Sequence, residues 1–110
     1  PDLYHGKTTT EPDEAGKMMM ALKMDEAGKD IAGAYDYLKG HPACTGKIGS
    51  VGFCMGGGLS ILLATLRPVD ACVNYYGVSD ADVSALRGPV LAHYGELDGW
   101  ASPAAGKALE

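Results

Sequence analysis

Residues 47–60 read KIGSVGFCMGGGLS. Strand-forming residues run into a lone cysteine, glycines crowd in at once, and an apolar helix-like run follows. The order is strand, sharp turn, helix, and it decides the fold.

Gly52-Phe53-Cys54-Met55-Gly56 fits the pattern G-x-nucleophile-x-G, with Cys where Ser is commoner. A chain that reverses from strand to helix in one residue holds that residue in a strained conformation at the apex. Such strain costs about 1–3 kcal/mol and must be held by the surroundings. Small residues at Gly52 and Gly56 are expected to let the turn close, because side chains there would collide with each other and with the neighbouring strand. Gly57 and Gly58 are expected to bring the first helical turn close to the sheet. The thiol then points over the strand ends, where ligands bind in open α/β sheets. It also stands at a helix N-terminus, which favours thiolate.

Other glycine-rich readings fail on their residues. A phosphate loop needs Lys and Ser/Thr where Gly58 and Leu59 stand, GxGxxG is absent, and a redox pair needs a second Cys at position 57, which is Gly. Cys44, in a loop, and Cys72, on an apolar strand, read as inert small residues.

Working outward, Ile48–Phe53, Ala71–Tyr76 and Val90–Tyr94 read as strands and Met55–Leu66 as a helix. The strands are nearly continuous in apolar residues, the mark of parallel strands buried on both faces. Asp13 to Lys39 reads as helix broken near Met24, with Ala27, Ile31, Ala34 and Leu38 on one face. Gly40 and Pro42 stop it. Asp-Glu-Ala-Gly-Lys occurs at 13–17 and again at 25–29, each copy offering an Asp–Lys pair at i,i+4 on helical surface. Met18-Met19-Met20 reads as core filler. "SDADVSAL" within the loop from Gly77 to Pro89 suggests a short helix. Ser102-Pro103 reads as an N-cap and first helical position. The expected class is α/β, a mostly parallel sheet flanked by helices in a single domain over 1–110.

Both ends read as cut, which makes the chain an expected internal slice. Its 14 Asp+Glu against 9 Lys+Arg, with no basic run, argue against binding nucleic acid or an anionic membrane. The longest apolar run, Leu59 to Leu66, is too short to span a bilayer. Three cysteines without CxxC spacing give neither a zinc site nor a disulfide framework, and no signal peptide is visible. A cytoplasmic protein without cofactor or metal is expected.

Cysteine catalysis needs a base and an acid to orient it. Where such a strand–turn–helix is a nucleophile elbow of the α/β-hydrolase kind, the acid follows a later strand and the histidine comes last. Val90–Tyr94 leads into "GELDGW", which places Asp98 as the acid with Glu96 as competitor. His5 and His41 are early loop residues, and His93 lies inside the strand before Asp98. No histidine follows Asp98 in these residues.

From Pro1-Asp2-Leu3-Tyr4 through "GFCMGGGLS", "VNYYGV" and "PVLAHYGELD", the chain resembles the dienelactone hydrolase family of α/β-hydrolases, in the family's order. The resemblance implies a Cys–His–Asp triad that hydrolyses small-molecule esters or lactones. It maps Cys54 to the nucleophile and Asp98 to the acid, and makes the backbone N–H of Met55 half of an oxyanion hole. Such donors are worth about 3–4 kcal/mol each in the transition state. Tyr76 falls where the family places an aromatic near the nucleophile. The histidine and the second oxyanion donor would lie outside these residues, so the fragment alone is expected to be inactive. Family members acting on dienelactone carry an arginine just after the segment matching Asp2-Leu3-Tyr4. His5-Gly6-Lys7 stands here, which points away from dienelactone itself. Two other readings use the same scaffold: acyl transfer or thioester hydrolysis at the elbow, and a non-catalytic binding module.

Overall fold

The computed structural model describes residues 1–109. Helix α1 (Pro12–Ala21) and helix α2 (Met24–Gly40) precede strand β1 (Gly49–Phe53), helix α3 (Met55–Leu66) and strand β2 (Ala71–Tyr75). A 3₁₀ turn (Val83–Ala85), strand β3 (Val90–His93) and helix α4 (Pro103–Lys107) complete the order. The strands form a parallel sheet in the order β1-β2-β3. This is an α/β architecture compatible with part of an α/β-hydrolase fold. No helix among the described residues is long and apolar enough to cross a membrane.

The break between α1 and α2 falls at Leu22 and Lys23, both extended, just before the expected Met24. Each Asp-Glu-Ala-Gly-Lys copy lies at the start of one helix, with its acidic residues in the first turn. That is where the helix dipole favours negative charge. Neither expected Asp–Lys pair forms among the described residues. Lys23 instead pairs with Glu26.

Helix α3 packs on β1 and β2, and α2 stacks behind α3. The core joins Tyr35, Ile48, Ile61, Ala64, Val69 and Cys72, with a second cluster at Ala27, Ile31 and Leu59. Ile61 is wholly buried, a burial worth about 1.5–3 kcal/mol. The buried stripe of α2 is Ala27, Gly28, Ile31, Ala32 and Tyr35. Leu38 lines one groove with Ile31, Ala34 and Tyr35, as expected of that face, but it is exposed there rather than buried. Two polar ties fix the layers. Arg67 grips the Asp36 carboxylate through Nε at 2.8 Å and Nη2 at 2.7 Å. The Asp70 carboxylate accepts the Ile48 N–H and the Lys47 ammonium, each at 2.9 Å, so the starts of β1 and β2 are tied.

Two burial expectations need correcting. The strands are covered on one face only: Val51, Phe53 and Leu91, on the face away from α3, are 63%, 58% and 57% exposed. Their apolar character reads as two-sided burial, but no described element crosses that face. The methionine run is not core either. Helix α1 buries no residue, and Met19 and Met20 are exposed.

The turn between β1 and α3 rests on absent side chains, though not on all those expected. A Cβ on Gly52 would lie inside the carbonyl group of Gly56, and one on Gly57 would strike the Asn74 amide. A Cβ on Gly56 meets nothing within 4 Å, so the expectation of crowding there fails. Gly52→Ala is therefore expected to abolish soluble folded protein, while Gly56→Ala keeps the thermal midpoint within a few degrees. Equal melting curves for the two variants would refute this account of the turn.

Candidate active site

Parallel register brings three sequence-distant segments to one sheet edge. Phe53, Tyr75 and His93 are register partners across the sheet. Cys54 follows the end of β1, Tyr76 follows β2, and the Asp98 loop follows β3.

Cys54 lies between the last residue of β1 and the first of α3, at φ 54° and ψ −122°. This left-handed backbone is unfavourable for a residue with a Cβ. Hydrogen bonds hold it on both sides. Its N–H donates to the Tyr75 carbonyl at 3.0 Å, and its own carbonyl accepts the Gly57 N–H at 2.9 Å. The thiol side is exposed. Met55 opens α3, so its N–H belongs to the first turn, which has no intrahelical acceptor.

The other cysteines occupy different environments. Cys72 is 1% exposed, and burial pushes its thiol up from the ordinary value. Cys44, half-buried, accepts the Gly46 N–H at 3.4 Å.

Tyr76 is also left-handed, at φ 45°. Its N–H donates to the His93 carbonyl at 2.8 Å, which carries the β2–β3 ladder one residue past the strand. Its ring is tilted against Phe53 with centroids 6.4 Å apart. Phe53, Tyr75 and His93 form a ladder of parallel rings on the open face, with spacings of 4.9 Å and 4.7 Å.

Asp98 is held by its own loop. Its N–H donates to Gly95, and its Oδ1 accepts the N–H groups of Trp100 at 2.8 Å and Ala101 at 2.9 Å. Those two donors hold the carboxyl below the usual carboxylate range. The group is therefore ionised at neutral pH with one oxygen already committed to backbone. Glu96, the competing acid, is exposed on the same loop.

The three imidazoles are engaged away from this turn. His5 Nε2 lies 2.7 Å from Asp30 Oδ2, and that hydrogen bond raises its pKa. His41 Nδ1 accepts the Ala43 N–H, and its ring tilts against Tyr37. His93 lies flat on Tyr75, two strands from Cys54. No group of three or more His, Cys, Asp or Glu among the described residues is placed to hold a metal ion.

Sequence reasoning missed Asn74. It is wholly buried on β2 and hydrogen-bonded to Gly77 and Tyr94 beside the turn. The signal was a single amide inside an otherwise apolar strand.

The sequence profile of the dienelactone hydrolase family matches residues 1–110. A carboxymethylenebutenolidase of Pseudomonas putida is 34% identical over 111 residues, covering 89% of this chain and 47% of its own. Protein usf of Aquifex pyrophilus is 34% identical over 107 residues, covering 89% and 46%. Carboxymethylenebutenolidase 1 of Cupriavidus pinatubonensis is 28% identical over 123 residues, covering 100% and 53%. The chain thus spans about half the length of these curated relatives. With its strand–turn–helix at Cys54 and the family match along its length, the chain belongs to the dienelactone hydrolase family.

Proposed function

We propose that this chain carries the nucleophile and the acid of a carboxylic ester or lactone hydrolase. The observation that carries the reading is the exposed Cys54, held left-handed between β1 and α3. The thiolate attacks the substrate carbonyl carbon, and the oxyanion forms against the Met55 N–H. Collapse breaks the acyl C–O bond, the alkoxide leaves with a proton, and a thioester remains on Cys54. Water then attacks the thioester, which releases the carboxylic acid and restores the thiol. Proton transfer in both halves needs an imidazole oriented by Asp98. No histidine follows Asp98 in this sequence, so the base is assigned to a residue outside it.

Tyr76, beside the turn, is assigned to the substrate's flank. His5 of the first loop is tied to Asp30 and offers no guanidinium fork for a substrate carboxylate. The substrate class is therefore drawn as esters and lactones at large. The names of the Pseudomonas and Cupriavidus relatives support lactone chemistry in the family.

In the complete protein, p-nitrophenyl acetate turnover is expected to vanish in Cys54→Ala. It should fall on the order of 10³–10⁴-fold in kcat for Asp98→Asn, as triad acids do elsewhere, and stay within twofold for Glu96→Gln. The reverse ranking of the two carboxylate variants would assign the acid to Glu96.

Thiol labelling tests the nucleophile separately. Iodoacetamide near neutral pH, followed by peptide mapping, should modify Cys54 first and Cys72 last. Faster labelling of Cys72 would remove Cys54 from the role.

These 110 residues expressed alone are expected to give at most one acylation of Cys54 and no steady turnover. Steady turnover abolished both by Cys54→Ala and by His93→Ala would make His93 the base.

A further inference from the structure

Asn74 is 0% exposed on a strand whose neighbours are apolar. Its amide is used on both sides. Oδ1 accepts the Gly77 N–H at 2.8 Å, while Nδ2 donates to the Gly77 carbonyl and to the Tyr94 hydroxyl, each at 2.9 Å. The Tyr94 hydroxyl donates in turn to the Gly77 carbonyl at 3.0 Å. Burial pushes the Tyr94 phenol up, so it remains a donor through neutral pH. Three segments therefore meet in one closed set of hydrogen bonds: strand β2, the turn after it, and the residue that follows β3.

On one side the knot grips the Cys54 turn. A Cβ at Gly77 would lie 2.5 Å from the Gly57 carbonyl carbon, so backbone rests on backbone against the first turn of α3. On the other side it grips the acid loop. Tyr94 directly precedes Gly95, whose carbonyl accepts the Asp98 N–H at 3.2 Å. A Cβ at Gly95 would meet Asp98 Cβ at 3.2 Å. The Tyr94 ring is backed by α4, since a Cβ at Gly106 would come within 2.8 Å of it.

We propose that Asn74 and Tyr94 are positioning residues that clamp the Asp98 loop to the Cys54 turn through their shared bonds to Gly77. Neither touches the reacting carbonyl. They set the distance across which the nucleophile, the imidazole and the acid must line up. The inference rests on the roles proposed for Cys54 and Asp98.

The test uses the complete protein with p-nitrophenyl acetate. Tyr94→Phe keeps the ring against Gly106 and removes only the hydroxyl. It should fold, lower kcat about tenfold and leave KM within twofold. In an Asp98→Asn background the same change should cost less than twofold, because loop placement matters only through the carboxylate. A merely structural role would cost the same factor in both backgrounds. Asn74→Ser is uncharged and too short to reach Gly77 and Tyr94, so it removes the donated bonds without burying a charge, and should show the same pattern if Tyr94→Phe proves unstable. Wild-type kcat in either folded variant, or equal losses in both backgrounds, overturns the clamp alone. Turnover that survives Cys54→Ala overturns the nucleophile assignment and the clamp with it.

Discussion

The structure depends on backbone meeting backbone where β1 turns into α3. Without a Cβ at Gly52 the strand can lie against the Gly56 carbonyl, and without one at Gly57 the first turn of the helix can reach Asn74 and Gly77. The reversal is completed in one residue, and that residue is forced to φ 54°. The cost of holding a non-glycine there, about 1–3 kcal/mol, is offset by bonds to both of its peptide groups and by the packing of α3. That packing is substantial: Leu59, Ile61 and Ala64 are all buried, and α3 lies on two of the three strands. The apolar run after the glycines thus supplies the energy that keeps the cysteine in place.

The same close approach creates a polar problem at the end of β2. The turn at Gly77 is buried, and a buried peptide group left without partners costs about 1–3 kcal/mol. Water has little access where two backbones touch, so the partners must come from the protein. Asn74 answers with a side chain that matches the peptide group donor for acceptor. A hydrophobic residue of similar size would pack but would leave the Gly77 N–H empty and its carbonyl with the Tyr94 hydroxyl alone. This explains an amide at the most buried position of an apolar strand.

Much of this was legible in the sequence, and the limits are physical. Helix α3 was readable residue for residue because a glycine cluster and an apolar run mark its start and length. The break before α2 was readable to within two residues. The exposed sheet face was not, since an apolar strand reads the same whether or not anything covers it. The methionines of α1 failed for a related reason: composition says what a side chain could bury, and only packing says whether it does. Gly56 was misread because a pattern of two glycines suggests two clashes, and the geometry contains one. Asn74 and Tyr94 were hidden because their partnership spans two strands. A lone amide in a sequence carries no mark of the partners that sheet register will bring to it.

Register is also what gathers the candidate site. Cys54, Tyr76 and Asp98 lie far apart along the chain, yet each follows the C-terminal end of one of three adjacent parallel strands. An antiparallel arrangement would send alternate strand ends to opposite edges. In the parallel sheet every crossover returns the chain to the same starting edge, so every departure occurs beside the others. Cys54 and Tyr76 then take left-handed backbones at successive departures, and each donates its N–H to the next strand over. The ladder thereby extends one step beyond the strands themselves, to the point where the thiol leaves the sheet. Rigidity of the sheet is carried out to the residues proposed to do chemistry. The Asp98 loop is the outermost of the three departures, and it is braced from within by its own backbone donors.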